Sequence, residues 1–413
     1  MTAKLFNHDI IQSALDLDVY KINMMHAART YYPDTHVRYE LIVRSDEDLS
    51  ELKGAVEQEI GKLANCQFNQ QEIAYLEQKA PYLSRDFLTY LSEFRFKPIE
   101  QVYVTTLNSQ LRVSISGIWH ETILYETLVM SIISEVRSRT LWSTIPYHAF
   151  FNTLKNKIDE LKTELARREI SNFVFSEMGS RRRFSAQVQH DVVDYIQQNA
   201  PELMSGTSNY HLAKKLDLTP IGTVAHEWFM AHQQLVEPAK SQQVALDRWH
   251  QAFNGKLGIA LTDTIGIDAF LKDFTFERAS AYAGVRHDSG SPFEWGDKII
   301  AHYESLGIDA KSKLLIFTDG LNFERAIEIC EYFRDRATVS FGIGTFLAND
   351  MGDWSDDKGT YKPLSMVVKM TECNGGAVAK ISDEPEKAMC EDPLFLEDLK
   401  HSFGLITEFD KAS

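Results

Sequence analysis

The sequence predicts an α/β fold, an irregular (β/α) barrel with an additional α+β domain formed mainly by the N-terminal part. Two observations predict this class. From about residue 120 onward, short apolar runs alternate with helical patterns, and that order is typical of a parallel sheet. About seven such units occur without the glycine signature of a dinucleotide-binding sheet, which favours a closed barrel over a doubly wound sheet.

The first part of the chain mixes strands and helices without strict alternation, which indicates an α+β domain. Its predicted elements are, in order, a helix over 9–30, a strand over 36–44, helices within 48–95 and a hairpin of 102–106 with 111–116. The hairpin turn is predicted at Asn108-Ser109.

The second part carries the barrel pattern. Its predicted strands are 172–176, 220–224, 258–261, 281–285, 313–317, 338–342 and 366–370. The predicted helices are 121–138, 147–170, 201–216, 228–253, 267–274, 292–306 and 323–334. We therefore divide the chain into an N-terminal domain (1–135), a catalytic barrel (136–375) and a C-terminal segment (376–413) that packs back on the N-terminal domain.

Charge and composition exclude several classes of protein. The 413 residues include 43 Lys plus Arg against 59 Asp plus Glu, a net charge of −16, so we expect no nucleic-acid partner. The four cysteines are far apart and form no CxxC pair, which is typical of reduced thiols. No signal peptide and no apolar run near the roughly 18 residues of a membrane span occur, so we expect a cytoplasmic protein without a membrane partner.

Polar and glycine-rich residues follow nearly every predicted barrel strand. These residues are Glu177–Arg183, His226-Glu227, Thr262-Asp263-Thr264, Arg286–Gly290, Thr318-Asp319-Gly320, Ile343-Gly344-Thr345 and Thr371-Glu372. One such Asp alone could simply cap a helix. The whole set is better explained by an active site, because the strand ends of an α/β barrel converge on one face.

Two of these segments predict a site for an anion. The turn Phe341–Thr345 has the form of a phosphate cradle, in which glycines let backbone N–H groups approach an anion and Thr345 adds a hydroxyl. Its place after a late barrel strand is a recurrent phosphate site. Arg181–Arg183 puts three cations at a helix start, where they oppose the macrodipole, so an anionic ligand explains them better than solvent does.

His226 is the candidate nucleophile or base. It follows a predicted strand, and Asp263 ends the neighbouring strand, where its carboxylate can orient the imidazole. Asp288 and Asp319 offer oxygen ligands that suit Mg²⁺. Together with the anion site, these residues favour transfer chemistry on a phosphorylated sugar.

At this point the sequence resembles the bacterial nicotinate phosphoribosyltransferase family over essentially its whole length. The matching segments are Leu15–Lys21, Gly179–Ser185, Gly222–Phe229, Leu261–Thr264, Arg286–Gly290 and Ser340–Thr345. Their order and joint presence are highly specific. The family usually shows Thr where this chain has Ser180, a change that keeps the hydroxyl.

The resemblance implies an ATP-dependent reaction in NAD salvage, in which nicotinate and phosphoribosyl pyrophosphate give nicotinate mononucleotide and pyrophosphate. It implies the barrel of the type II phosphoribosyltransferases. It also implies that ATP phosphorylates His226, that Asp263 orients this histidine and that Asp288 acts beside them. The family is often dimeric, so the resemblance allows a homodimer with a shared active site, in which Tyr20 could come from the neighbouring subunit.

The resemblance also implies the binding residues. Nicotinate is assigned to Tyr20, Thr223 and Arg286; phosphate and phosphoribosyl pyrophosphate are assigned to Arg181, Arg182, Asp319, Gly342, Gly344 and Thr345; and Mg²⁺ is assigned to Asp288 and Asp319. From spacing alone, Tyr20 would be a partly buried residue of an amphipathic helix.

Other functions compete with this interpretation. A nicotinamide phosphoribosyltransferase would place a carboxylate near the carboxamide, and the segment 206–210 offers no acid. A quinolinate phosphoribosyltransferase would be shorter and would decarboxylate its substrate. A phosphohistidine ATPase or phosphatase on the same barrel would turn over ATP without forming a pyridine nucleotide, and a non-catalytic metabolite-binding protein would not need His226.

Overall fold

The structure, a computed structural model, describes residues 5–6, 8–357, 359–384 and 388–406. Its helices are α1 Val19–Tyr31, α2 Lys53–Lys62, α3 Gln70–Lys79, α4 Arg85–Glu93, α5 Pro98–Gln101, α6 Trp119–Thr122, α7 Tyr125–Leu141, α8 Tyr147–Arg167, α9 Ala186–Asn199, α10 Tyr210–Lys215, α11 His226–Leu235, α12 Ser241–Phe253, α13 Ile267–Asp273, α14 Phe276–Ala281, α15 Pro292–Ser305, α16 Phe323–Phe333, α17 Thr345–Ala348 and α18 Pro393–Ser402. Its strands are β1 His36–Val43, β2 Val102–Leu107, β3 Gln110–Ile118, β4 Phe175–Glu177, β5 Met204–Thr207, β6 Ile259–Leu261, β7 Gly284–His287, β8 Leu314–Phe317, β9 Thr338–Ile343, β10 Ser355–Asp356, β11 Gly359–Thr360, β12 Met366–Cys373 and β13 Gly376–Ala377.

The N-terminal part is built on a five-stranded antiparallel sheet in the order β13-β12-β1-β3-β2. The predicted hairpin is confirmed as β2 and β3. Asn108 and Ser109 both have positive φ, 49° and 62°, as a two-residue turn with the right-handed twist of its strands requires.

The predicted strand 366–370 exists as β12, but its predicted place in the barrel is wrong. It pairs antiparallel with β1, with Val43 opposite Met366 and Val37 opposite Cys373. Met366, Val368 and Met370 are buried while the residues between them are less so, which is the alternation that the sequence shows. The pattern predicts a strand but carries no information about which sheet the strand joins.

The second part is built on a six-stranded parallel sheet in the order β5-β4-β9-β8-β7-β6. Five of the predicted barrel strands appear in it, as β4, β6, β7, β8 and β9. Because all strands run in the same direction, their carboxyl ends lie at one edge. This edge carries the polar residues that follow the strands.

The prediction was wrong between residues 201 and 224. The predicted helix 201–216 contains strand β5 before the short helix α10, and the predicted strand 220–224 makes only one isolated bridge, Thr207 with Pro220, among the described residues. Gly206 explains the close approach, because a Cβ there would lie 2.1 Å from the carbonyl oxygen of Thr219. The run 220–224 passes beside the end of β5, where the Ile221 N–H donates to the Thr207 carbonyl at 2.9 Å, without forming a strand.

Two long predicted helices are shorter than expected. The predicted helix 9–30 begins only at Val19, after a series of turns. The predicted helix 228–253 is divided into α11 and α12 by a turn at Pro238, whose ring cannot continue a helix from the preceding residues.

Aromatic packing joins the two parts of the molecule. The indole rings of Trp119 and Trp228 stack with centroids 5.7 Å apart, and Tyr32 packs against both at 6.3 and 6.1 Å. Trp119 and Trp228 are fully buried, so α6 and α11 share one continuous core. This packing fixes the orientation of α11, whose first residue is His226.

The C-terminal segment contacts both parts. Leu399 of α18 packs with Ile265 and Ala269, while Glu391 forms an ion pair of 2.9 Å with Arg38 on β1. Residues 385–387 and 407–413 of this segment lie outside the described residues. The division at residues 135 and 375 and the packing of 376–413 on the N-terminal domain stay predictions.

No helix within the described residues combines the length and the apolar character that crossing a membrane requires. All four cysteines are free thiols.

Candidate active site

A cavity of about 310 Å³ opens at the carboxyl edge of the parallel sheet and is covered by α1 and β12. The predicted site residues that line it are Tyr20, Arg181, Arg182, Thr223, His226, Arg286, Asp288, Gly342, Gly344 and Thr345. Asp263 and Asp319 are not among the lining residues. Asp263 lies directly behind the cavity wall, in contact with His226.

His226 is held by two carboxylates. Its Nε2 lies 2.9 Å from Oδ1 of Asp263 and 3.6 Å from Oδ2 of Asp288. Asp263 is fully buried and Asp288 is partly exposed to the cavity. The predicted orientation of His226 by Asp263 is therefore matched by the geometry, and it leaves Nδ1 as the ring nitrogen not engaged by either carboxylate.

The pKa values of this group favour a neutral imidazole beside an ionised carboxylate. Burial and the ammonium of Lys380 lower the pKa of His226 to about 4. Burial opposes ionisation of Asp263, but its contacts with His226 and Lys380 hold the pKa of Asp263 well below its usual value. At neutral pH the Nε2–H therefore donates to Asp263, and Nδ1 carries a free lone pair.

Asp288 is oriented by the next strand. The Thr318 hydroxyl donates to its Oδ1 at 2.6 Å, and the same hydroxyl oxygen lies 2.9 Å from the His287 carbonyl oxygen. Burial opposes ionisation here too, but the guanidinium of Arg286 and the ring of His226 lower the pKa of Asp288 to about 2. Asp288 is thus an anion that faces the cavity.

The three residues predicted to bind nicotinate lie around the same cavity. Tyr20 is 8% exposed, and its hydroxyl has no hydrogen-bond partner among the described residues. Nε of Arg286 is likewise buried without a partner in the described part of the chain. Tyr20 comes from the same chain as Thr223 and Arg286, so these three residues meet without a second subunit.

Gly222 brings the Thr223 loop against the start of α1. A Cβ on Gly222 would lie 2.8 Å from the Val19 Cβ and 2.9 Å from the Tyr20 backbone nitrogen, contacts that a side chain could not make. Only glycine lets these two segments approach so closely. The result is that Thr223 and Tyr20 share one wall of the cavity.

The arginine cluster has three different environments. Arg183 is buried and forms two hydrogen bonds with Asp16, at 2.7 and 2.9 Å, so its charge is neutralised within the protein. Arg181 reaches the cavity, where Asp18 and Glu126 lie 3.3 and 3.5 Å from it. Acidic side chains of the protein therefore account for Arg181 and Arg183, and the predicted anionic ligand is not needed to explain these two.

Arg182 is the cation of this cluster for which the described residues provide no acidic partner. It lines the cavity, and burial together with the charges of Arg181 and Arg44 lowers the pKa of its guanidinium to about 10. A positive charge that is half-buried among other positive charges favours an anionic ligand.

The glycine turn lines the cavity beside the arginines. A Cβ on Gly344 would lie 2.7 Å from the Met178 carbonyl oxygen, and one on Gly342 would lie 2.5 Å from the Met178 sulfur. The glycines therefore allow close packing of β9 against the segment after β4. Thr345 begins the four-residue helix α17 and faces the same cavity.

The carboxylates near the cavity fit a magnesium ion only in part. His226, Asp263 and Asp288 have ligand atoms within 4.8 Å of one another, but both oxygens of Asp263 are engaged by His226, Ser289 and Lys380. Of these three residues, Asp288 is the one whose carboxylate lines the cavity, and it could hold Mg²⁺ together with phosphate oxygens of a substrate. Asp319 is not part of the cavity wall.

Several other lining residues do not follow a predicted barrel strand, so the strand-end pattern does not predict them. They are Met130, Ser208, Ile221, Ile316, Leu321, Phe346, Met366, Val367 and Lys369. Lys369 is the chemically important one, because burial and the charge of Lys380 lower the pKa of its ammonium to about 8. It lies in the middle of β12, a strand of the antiparallel sheet, so no strand-end signal could identify it.

Comparisons with known proteins agree with this geometry. A family model described as the nicotinate phosphoribosyltransferase (NAPRTase) family matches residues 173–406, and the model of that family's N-terminal domain matches 15–134. A nicotinate phosphoribosyltransferase of Vibrio vulnificus (strain CMCP6) is 65% identical over 100% of this chain and 96% of its own length.

Solved structures give the same result. A crystal structure of nicotinate phosphoribosyltransferase from Vibrio cholerae matches with a TM-score of 0.96 and 57% identity, covering 98% of this chain and 97% of that one. A putative nicotinate phosphoribosyltransferase from Saccharomyces cerevisiae matches with a TM-score of 0.89 and 34% identity, covering 97% and 100%. The predicted fold class, an α/β barrel-like domain with an additional N-terminal domain, is confirmed.

Proposed function

Because this chain belongs to the nicotinate phosphoribosyltransferase family and is a phosphoribosyltransferase enzyme, we propose that it converts nicotinate and phosphoribosyl pyrophosphate to nicotinate mononucleotide and pyrophosphate. We propose further that the reaction is assisted by ATP, that it passes through phosphorylated His226 and that it serves NAD salvage. One observation carries the proposal: a single cavity joins His226 to Arg286 and to the glycine turn at Gly344.

His226 is the acceptor for the terminal phosphate of ATP. The hydrogen bond from Nε2 to Asp263 leaves the Nδ1 lone pair to form the new N–P bond, while the bond from that phosphorus to the bridging oxygen breaks and ADP leaves with the electron pair. The phosphoryl group then sits at the N-terminus of α11, where the helix dipole stabilises an anion. Water later hydrolyses the phosphohistidine and releases phosphate.

Tyr20, Thr223 and Arg286 hold the pyridine substrate. The guanidinium of Arg286 and the Thr223 hydroxyl suit a carboxylate, which distinguishes nicotinate from nicotinamide. The ring of Tyr20 borders the pyridine. The pyridine nitrogen is already nucleophilic, so the protein needs to position it and not to deprotonate it.

Departure of pyrophosphate places positive charge on the ribose C1 and negative charge on the leaving group. Arg181 and Arg182 lie where they can bind the leaving group, and Thr345 with its glycine turn takes the 5′-phosphate. Asp288 can stabilise the ribose cation or hold Mg²⁺, which would neutralise charge on pyrophosphate when bound. The proposed role of Asp319 in phosphate or magnesium binding depends on its reaching the cavity, which it does not line in this structure.

A homodimer with a shared active site is a further part of the proposal; gel filtration tests whether the dimer forms. Tyr20, Thr223 and Arg286 of one chain already line one cavity, so a monomer contains all three predicted nicotinate residues. The proposed partners are nicotinate, phosphoribosyl pyrophosphate and ATP. The proposal includes no nucleic acid and no membrane.

The test is an assay for nicotinate mononucleotide and pyrophosphate with purified protein, phosphoribosyl pyrophosphate and Mg²⁺, with and without ATP. We expect product with nicotinate, more product with ATP and none with nicotinamide at equal concentration. His226→Ala should abolish the stimulation by ATP, and labelled ATP should leave an acid-labile, base-stable phosphate on His226.

Other outcomes support other functions. ATP turnover without a pyridine nucleotide would indicate an ATPase or phosphatase on this barrel, and preference for nicotinamide would contradict the role of Arg286. Label on a serine, or no label while ATP stimulates the reaction, would refute the phosphohistidine.

A further inference from the structure

We propose that Lys380 is a positioning residue for the reaction, which with Ser289 fixes the Asp263 carboxylate so that one of its oxygens faces Nε2 of His226. Neither residue lines the cavity, and both act through Asp263. The kinetic part of this inference rests on the proposed function. The orientation of Asp263 and the tautomer of His226 concern the protein without substrates, and they are argued from contacts in the structure alone.

The two oxygens of Asp263 have separate partners. Oδ1 lies 2.9 Å from Nε2 of His226. Oδ2 accepts the Ser289 hydroxyl at 2.6 Å and lies 2.8 Å from Nζ of Lys380. Because the second oxygen is held by two donors, the carboxylate cannot rotate about its own axis without losing both contacts.

Burial makes these contacts important. Asp263, Ser289 and Lys380 are 0%, 1% and 6% exposed, so water does not replace a lost partner. A buried carboxylate without a cation is strongly unfavourable, and Lys380 is the ammonium that meets this one. Its side chain is therefore committed to Asp263 and not to a substrate.

Lys380 lies in a segment that we call the C-terminal strap, residues 379–384. Hydrogen bonds to other parts of the chain hold the backbone of this segment in place. The backbone N–H and carbonyl of Lys380 bond with Met389 at 3.0 and 2.8 Å. On either side, Ala379 exchanges two hydrogen bonds with the Gln233 side chain on α11, and the Ile381 N–H donates to the Thr264 carbonyl at 2.8 Å. The strap thus ties Lys380 to the loop after β6 and to the helix that carries His226.

The same strap reaches the loop after β7. The Ser382 hydroxyl lies 2.9 Å from that of Ser289, and the Asp383 N–H donates to Ser289 at 3.2 Å. Ser289 is the second donor to Asp263, so both anchors of the carboxylate depend on one segment. This segment comes from the end of the chain, well after the barrel strands.

The consequence for His226 is the choice of tautomer. An acceptor fixed at Nε2 keeps the proton on that nitrogen and leaves Nδ1 unprotonated toward the phosphoryl donor. If Asp263 is free to turn, the preference for this tautomer weakens and the proton is also found on Nδ1. Groups that orient a metal-binding histidine in this way are worth about 10- to 100-fold in activity, and we expect an effect of the same size for this reactive histidine.

The test compares Lys380→Met with Lys380→Arg in the full-length protein. Without substrates and at one fixed pH near neutrality, the imidazole ¹⁵N shifts of His226 should report the Nε2–H tautomer in the wild type and in Lys380→Arg. They should report a mixture of tautomers in Lys380→Met. In the proposed reaction, Lys380→Met should lower kcat about 10- to 100-fold with the KM values for nicotinate and phosphoribosyl pyrophosphate unchanged.

Lys313→Met is the matched control. Lys313 is also a buried lysine, 9% exposed, but it bonds to the carbonyls of Ser280 and Tyr282 at the amino end of β8, away from the cavity. It should leave the His226 tautomer unchanged. If Lys380→Met does not fold, Ser289→Ala removes the other donor and should shift the tautomer in the same direction but less.

A double-substitution cycle separates positioning from a general loss of stability. In the Asp263→Asn background, Lys380→Met should cause no additional loss of kcat, because the carboxylate on which it acts is gone. The inference would be overturned if both Lys380→Met and Ser289→Ala kept the wild-type tautomer of His226. It would also be overturned if the fold-losses of kcat in Asp263→Asn and Lys380→Met multiplied in the double variant. A shifted tautomer in a protein that forms no nicotinate mononucleotide would uphold it and reject the proposed function instead.

Discussion

Lys21 and Glu227 form a buried ion pair that connects the two sides of the active site. Each follows a site residue directly, Lys21 after Tyr20 on α1 and Glu227 after His226 on α11. Glu126 of α7 lies 2.5 Å from the same ammonium, and the Tyr39 hydroxyl donates to Glu227 at 2.6 Å. The network therefore sets the position of the aromatic ring relative to the imidazole.

Replacing Lys21 should destabilise the protein strongly. Lys21 is 0% exposed and Glu227 is 5% exposed, so Lys21→Met leaves buried carboxylates without their cation. We expect a loss of about 3–5 kcal/mol in the free energy of unfolding, measured by urea titration. The double variant Lys21→Met/Glu227→Gln should recover part of this loss. An unchanged free energy in the single variant would show that the pair does not support the fold.

Arg183 and Arg182 are neighbours with different roles, which a pair of alanine variants can separate. Arg183→Ala removes the partner of buried Asp16 and should lower the free energy of unfolding by about 3–5 kcal/mol. Arg182→Ala should leave stability nearly unchanged but raise the KM for phosphoribosyl pyrophosphate, since its guanidinium faces the cavity. Urea titration measures the loss of stability, and initial rates measure the KM. A loss of stability in Arg182→Ala and a raised KM in Arg183→Ala would exchange the two roles.

Arg286→Ala should weaken nicotinate binding much more than phosphoribosyl pyrophosphate binding. Its side chain lines the cavity near Thr223, where it can pair with the carboxylate, and a hydrogen bond to a charged group is worth about 1.5–3 kcal/mol. Isothermal titration with each substrate separately provides the comparison. Equal losses for both substrates would count against a carboxylate-binding role.

The pH dependence of stability should change when His26 is replaced. Burial and the charge of Arg29 lower the pKa of His26 to about 4, and the ring packs against Phe87 with centroids 4.8 Å apart. Because the native state takes up the proton less readily than the unfolded state, the contribution of His26 is present above pH 6.5 and is lost as pH falls toward 4. At pH 5 the loss is about 2 kcal/mol.

The measurement is the difference in unfolding free energy between wild type and His26→Phe at pH 8, 6.5 and 5. This difference cancels the titration of all other groups. Relative to its value at pH 8, the difference in unfolding free energy should shift in favour of His26→Phe by about 2 kcal/mol at pH 5. A difference that stays constant from pH 8 to 5 would mean that His26 is protonated equally in both states.

Much of the candidate site could be predicted from the sequence because its signals are local. An apolar run followed by polar residues marks the end of a strand, and parallel strands bring all such ends to one edge. His226, Arg286 and Thr345 were identified in this way, and the structure brings all three to one cavity. Asp319 has the same local signal but does not line the cavity, so the signal alone does not determine which way a side chain faces.

Other features needed the tertiary structure because they depend on residues far apart in the chain. The sequence shows three consecutive arginines alike, yet only the approach of Asp16 makes Arg183 an internal ion pair. The alternation in β12 is the same whether the strand joins the barrel or pairs with β1. Lys380 has no signal of its own, since its role comes entirely from the carboxylate that it meets.

The sequence by itself determined the fold class, most of the strands and the order of the chemical groups along the chain, because periodicity and strand-end residues are properties of short segments. The tertiary structure alone decided which charges are neutralised, which strand covers the cavity and that Tyr20 faces the cavity of its own chain. Pairing between distant residues depends on how segments approach one another in space, and no short segment encodes that approach.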